Sequence, residues 1–189
     1  MKCKKSRVIL FRLLIFFVLL VIFSAFVFKN IILKKMLYPQ GYKNYVETYS
    51  KEYNIDKNLV YSVIKCESNF ESTAVSHMNA KGLMQISDMT GIWASEELKI
   101  KNFDTDSLFE PEVNILIGCW YLNKLINQFG DVETALAAYN AGSGNVSRWL
   151  ANEEYSSDGI RLNYIPYKET RNYVKKVQQA KKIYEYLYR

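Results

Sequence analysis

Histidine is nearly absent from this sequence: His77 stands alone among 189 residues, beside three cysteines and three prolines. Cys/His metal sites need several ligands at short, defined spacings, and no such spacing occurs. A serine triad would have to be built on His77, and no serine sits in a nucleophile-elbow context. Metal and triad chemistry are therefore not expected, and neither is a cofactor. Strand-like alternation is missing, as is any internal repeat, so the expected fold class is mainly α. Cys66 and Cys119 lie in apolar helical sequence and read as free core thiols more readily than as a disulfide.

One long hydrophobic run is present. Val8 to Phe28 is apolar apart from Arg12 and a small Ser24-Ala25 pair, about the length that crosses a hydrocarbon core. Lys2, Lys4, Lys5 and Arg7 precede it, which predicts a cytoplasmic N-terminus and an outward-facing remainder. Lys29, Lys34 and Lys35 follow it and weaken that asymmetry without reversing it. A cleaved signal peptide is the competing reading. It is disfavoured because Phe23, Phe26 and Phe28 stand where a peptidase needs small residues. Cys3 precedes the run and is not placed as a lipid acceptor.

Net charge follows from this segment. Eight of the 25 lysines and arginines fall in residues 1–35, which contain no acid; the remainder carries 17 bases against 19 acids. The overall +6 is thus no argument for nucleic-acid binding, and none is expected. Lys168, Arg171, Lys175, Lys176, Lys181 and Lys182 read first as a solvated helix face.

Tyr38-Pro39-Gln40-Gly41 marks the expected boundary between an anchor segment, residues 1–37, and a single domain, residues 38–189. Helices are predicted over Tyr42–Tyr53 and from an Asp56 cap to Glu67 or Ser68. The Gly82–Ile86 stretch leads into another that runs through Leu98, and a buried central helix follows Pro111 to Phe129, stopped by Gly130. A short helix capped by Asp131 and a last one over Tyr167–Tyr188 complete the set. Residues 69–81 lack a period and read as a loop, and Asn140–Gly144 as a turn.

Within the second helix, Val60, Val63, Ile64 and Glu67 share one stripe. A glutamate is almost never buried unless paired, so a helix-terminal residue reaching into water is the ordinary explanation. Here the acid continues an apolar stripe, no base lies on that stripe one turn back, and a long polar loop follows. A carboxyl in that setting should have its ionised form disfavoured, the property a general acid needs near neutral pH.

Four stretches carry a resemblance: Glu67-Ser68; Gly82-Leu83-Met84-Gln85-Ile86; Ala138-Tyr139-Asn140-Ala141-Gly142; and Ile165-Pro166-Tyr167-Lys168-Glu169-Thr170-Arg171-Asn172-Tyr173-Val174. In this order and spacing they resemble the motif set of soluble-lytic-transglycosylase-type enzymes of family 1, across roughly Tyr42 to Tyr188. The resemblance implies a lysozyme-like α domain acting on peptidoglycan glycan strands. There it would cleave the MurNAc–GlcNAc β-1,4 bond without water and leave a 1,6-anhydro end. Glu67 would be the single catalytic acid and base. Gln85, Met84, Tyr139 and Asn140 would line the cleft, and Ser76 would contact substrate. Ser68 would support the Glu67 loop or simply cap its helix.

The absence of an obvious second carboxylate suits that chemistry, since ordinary glycosidases use two. Glu71 lies in the loop, and Asp88 reads as an N-terminal helix charge. Two departures stand out. Asn163 occupies a position where many members carry a cleft glutamate, and Ser143 replaces a proline common after Ala-Gly. Glu169 and Arg171 read first as structural. The alternatives are a hydrolysing muramidase on the same scaffold, or a non-catalytic wall-binding or scaffold domain of a secretion or conjugation machine.

Overall fold

The structure is a computed structural model that describes the backbone of residues 2–189 and the side chains from Phe11 onward. Lys2, Cys3, Lys4, Lys5 and Arg7 thus lie outside the described side chains. The chain forms two compact units, Met1–Pro39 and Gln40–Arg189. The first is α1 (Lys2–Ile32), continued by a π-helical turn over Leu33–Leu37. Its stretch Phe11–Leu37 is long and apolar enough to cross a membrane, and side chains such as Phe16, Ile22 and Phe28 are exposed along it.

The second unit contains α2 (Lys43–Glu52), α3 (Lys57–Glu67), α4 (Asp88–Glu97), α5 (Pro111–Phe129), α6 (Val132–Ala141), α7 (Ser143–Leu150) and α8 (Lys168–Leu187). No strand forms among the described residues; two isolated bridges, Val75 with Lys81 and Lys81 with Ile86, tie the loop after α3. The mainly α class is as the sequence predicts.

Local signals account for most boundaries. Asp56 caps α3 by accepting the Asn58 N–H at 2.8 Å, and Asp131 caps α6 by accepting the Thr134 N–H at 2.8 Å. Pro111 opens α5, and Gly130, at φ +68°, ends it in the left-handed conformation that side chains resist. The Gly82–Ile86 stretch leads into a helix as expected: Gly82–Gln85 form a turn, Ile86 bridges back to Lys81, and α4 begins at Asp88, where Ser87 accepts the Thr90 N–H. One expectation needs correction. The turn after Tyr139 is only Gly142, and α7 begins at once. Its two buried anchors, Val146 and Trp149, are too few to register as a helical period.

Helix α5 is the core of the domain. Ile115, Ile117, Cys119, Leu122 and Leu125 are buried on it, against α2 on one side and α6 on another. Helix α3 packs chiefly on α8, setting Val60, Val63 and Ile64 against a second apolar face that includes Tyr173, Val174, Val177 and Tyr184. Cys66 and Cys119 are both free.

Candidate active site

Glu67 is the last residue of α3, on the face already occupied by Val60, Val63 and Ile64, each of which is completely buried. The side chain is half-buried, and burial pushes its pKa up to about 7. Tyr173, on α8, bears on the carboxyl and pulls in the opposite direction. Its hydroxyl is buried, and the carboxyl of Glu67 is the group it acts on. Tyr139 on α6 is the second phenol beside the acid; burial first, and then the negative charge of Glu67, hold both phenols above their ordinary range.

The chain beyond Glu67 is held in unusual backbone conformations. Asn69 and Phe70 both take positive φ, 53° and 69°, as does Gln85 at 49°. Such strain persists only where surrounding structure over-determines it. Gly82, at φ +75°, sits where a Cβ would collide with the Leu108 carbonyl and the Asn114 amide. Asn114 is the hub of this region. Wholly buried on α5, it accepts the Met84 N–H at 2.8 Å and donates to the carbonyls of Lys81 (2.9 Å) and Leu108 (2.7 Å). Its sequence signal was available: an asparagine directly ahead of the apolar run Ile115–Leu122.

The expected site residues divide between the cleft and its scaffold. A cleft of about 610 Å³ is lined by Gln85, Ser87, Met89, Trp93, Tyr121, Tyr139 and Asn140, among others; Glu67 is not part of that lining, and Tyr139, whose phenol feels the Glu67 charge, is the residue the two have in common. Gln85 lines it, with Nε2 already donating to the carbonyls of Gly82 (2.8 Å) and Ala74 (3.1 Å). Met84 does not open onto the cleft. Its side chain is fully buried against Gly118, where a methyl group would strike the sulfur. The backbone of Met84 takes part instead, its carbonyl accepting the Tyr139 hydroxyl at 2.8 Å.

Three other expected substrate contacts have their hydroxyl or amide oxygen engaged within the protein. Ser68 donates to the Leu83 carbonyl at 2.8 Å, clamping the end of α3 to the loop that follows Gly82. Ser76 accepts the N–H groups of Met78 (3.2 Å) and Ala80 (3.0 Å) within its own turn. Asn163 accepts the Ser157 N–H at 2.8 Å and so closes its loop. None of the three lines the cleft. Arg171 is structural: it donates to the Ile165 carbonyl at 2.6 Å and lies 4.8 Å from the centre of the Tyr164 ring. Tyr173 and Trp93 are the side chains that sequence reasoning left unassigned.

No acid lines the cleft. Asp88 pairs with Lys81 at 3.1 Å, and Glu71 accepts from the hydroxyl of Thr73 at 2.7 Å. Among the described residues no cluster of His, Cys, Asp or Glu could hold a metal ion. The site can therefore donate and accept one proton at one carboxyl, beside two phenols and an aromatic wall.

Comparison with known proteins follows the same lines. The chain is 35% identical over 143 residues to the soluble lytic murein transglycosylase of Salmonella typhimurium, an alignment covering 74% of this chain and 22% of that protein. It is 29% identical over 169 residues to membrane-bound lytic murein transglycosylase C of Salmonella arizonae, covering 76% and 46%. The crystal structure of an inactive Glu-to-Gln mutant of Pseudomonas aeruginosa lytic transglycosylase Slt superposes with a TM-score of 0.69 at 31% identity. That match covers 79% of this chain and 24% of that one. The chain thus spans under a quarter of the length of the soluble relatives, and the shared part is the mainly α, lysozyme-like domain. Residues 44–160 match the sequence model of the transglycosylase SLT domain, and with the fold and the ordered motifs in agreement, the chain belongs to that family.

Proposed function

We propose that the protein is a peptidoglycan lytic transglycosylase, anchored in a membrane by residues 1–37 and carrying its catalytic domain, residues 38–189, on the outer side. One observation carries the reading: a single carboxylic acid, Glu67, is held half-protonated near neutral pH beside a cleft without a second carboxylate. Inverting and retaining glycosidases both need a second carboxylate, for the water or as the nucleophile. With one, a nucleophile supplied by the substrate itself fits the site better than a carboxylate-activated water.

In the first half-reaction Glu67, protonated, gives its proton to the glycosidic oxygen between MurNAc and GlcNAc, and the C1–O4 bond breaks as positive charge builds on the MurNAc ring. The GlcNAc residue leaves with a free hydroxyl. Glu67, now a carboxylate, takes the proton from the C6 hydroxyl of the same MurNAc, whose oxygen bonds to C1 and closes the 1,6-anhydro ring. The acid is regenerated and no water is consumed. Tyr173 favours the carboxylate and so eases the first transfer; burial favours the acid and restores it after the second. Gln85, Tyr139 and Asn140 line the part of the cleft that would receive the sugars.

The names of the soluble and membrane-bound relatives support the activity, and the inactive Glu-to-Gln relative supports a glutamate at its centre. The apolar Phe11–Leu37 helix supports the anchor, and the basic residues before it favour a cytoplasmic N-terminus. The test is mass spectrometry of muropeptides released from peptidoglycan by the full chain in detergent, beside Glu67→Gln. Anhydro-MurNAc ends that vanish in the variant are expected. Reducing MurNAc ends would identify a hydrolysing muramidase instead, and unchanged release by Glu67→Gln would overturn the catalytic assignment.

A further inference from the structure

Met89 and Trp93 lie one turn apart on α4, 79% and 43% exposed, and both belong to the cleft wall. An exposed indole is ordinarily mobile, but this one is braced. It meets Trp120 edge-on at 4.7 Å and Tyr121 edge-on at 6.4 Å. The Lys124 ammonium lies 5.8 Å from the Trp93 ring centre and 5.3 Å from that of Trp120, and is itself paired with Glu97 at 3.6 Å. An exposed apolar surface rimmed by polar groups marks a binding site, and Ser87 and Thr90 provide such a rim here. Holding the ring in place beforehand lowers the ordering cost when a ligand arrives.

Tyr121 continues the wall, packing on Tyr139 at 5.4 Å, and Tyr139 stands beside Glu67. Tyr139, Tyr121 and Trp93 thus form an unbroken series of aromatic contacts along the cleft wall, with Tyr139 the member next to the acid. A β-1,4-linked hexosamine has equatorial substituents and an apolar C–H face. The negative face of an aromatic ring attracts those C–H groups, and hydroxyls at the rim take the polar edge.

We propose that Trp93, braced by Trp120, Tyr121 and Lys124, is a stacking platform for an N-acetylhexosamine ring of the glycan strand, two aromatic contacts along the wall from Tyr139, the ring next to Glu67. The placement rests on the catalytic reading of Glu67, but binding can be read without catalysis. Calorimetry of the full-length Glu67→Gln protein in detergent, titrated with β-1,4-linked N-acetylglucosamine oligomers of two to six units, is the test. Adding Trp93→Ala should weaken the hexamer roughly tenfold and leave the dimer within about twofold. Trp93→Met, which keeps apolar bulk but no aromatic face, should do the same while its melting temperature stays near that of the parent.

Hexamer affinity unchanged in both Trp93 variants would overturn the platform, and would leave the exposed α4 face to a protein partner. If the wild type still releases anhydro ends in that case, the catalytic reading survives. Conversely, a Trp93-dependent hexamer affinity with no cleavage by the wild type would sustain the platform and sink the catalytic assignment. Failure of Glu67→Gln to bind any oligomer, with its fold intact, would overturn the platform, and release of anhydro ends by the wild type would still sustain the catalytic reading.

Discussion

Glu67 and Glu71 lie four residues apart, one closing α3 and the other in the loop beyond it. Burial raises the first carboxyl to about 7. The second is exposed, accepts from the hydroxyl (2.7 Å) and the N–H (3.2 Å) of Thr73, and sits below its ordinary value. The same side chain is thus poised as an acid in one place and permanently ionised in the other. The difference lies in what surrounds each: an apolar stripe and two phenols for Glu67, water and a local turn for Glu71. Only the first setting can deliver a proton at neutral pH and take one back.

The largest expected effect separates the two directly. Glu67→Gln should lower the rate of glycan release by about 10³-fold, within the range general acid–base catalysis supplies, while Glu71→Gln should stay within about twofold. Muropeptide release assayed in parallel decides; comparable losses in both variants would erase the distinction.

A second perturbation should make Glu67 resemble Glu71. Asn114→Ala leaves the Met84 N–H and the carbonyls of Lys81 and Leu108 without their partner. At about 1 kcal/mol net for each hydrogen bond, the domain should lose about 3 kcal/mol in denaturant unfolding. The loosened loop would admit water, so the Glu67 pKa, followed by carboxyl NMR, should fall toward 4.5.

Stability against pH gives a third measure, with a defined sign. The folded pKa of Glu67 is raised from 4.5 to about 7, so the folded state binds its proton more tightly. Below pH 4.5 this costs nothing. As pH rises through 7 the protein must bury a carboxylate, and stability falls by about 3 kcal/mol from this group. Glu67→Gln escapes that loss. Relative to the wild type it should gain stability between pH 4 and pH 8, whereas Glu71→Gln should show no such gain.

The smallest effect concerns Tyr173. Its hydroxyl favours the ionised form of Glu67, so Tyr173→Phe should raise the pKa of the acid further. The alkaline limb of the kcat/KM profile, which falls as the free enzyme loses the Glu67 proton, should move to higher pH. A limb left in place would show that Tyr173 is only a packing residue.

Much of this site was legible from local pattern. The stripe through Val60, Val63 and Ile64 aimed Glu67 inward before any tertiary contact was known, because side chains three and four apart share a helix face. The four motifs named the Gln85, Tyr139 and Asn140 wall. The same motifs left Met84, Ser68, Ser76 and Asn163 open between substrate and scaffold, since a polar or apolar type at a motif position does not say which it serves. Ser68 and Leu83 meet because a strained turn folds back, and nothing within either segment announces the bond.

The sequence by itself determined the helices other than α7, their caps at Asp56, Asp131 and Gly130, the apolar Val8–Phe28 run, and the direction in which Glu67 points. These follow from periodicity and from interactions spanning a turn or two. Only the tertiary structure decided that Tyr173 stands over the acid, that Asn114 holds the loop, and that Trp93 joins Tyr121 and Tyr139 in one aromatic wall. Those meetings depend on how α3 packs on α8 and α4 on α5. Packing brings together residues tens of positions apart, where no local period carries information about the partner.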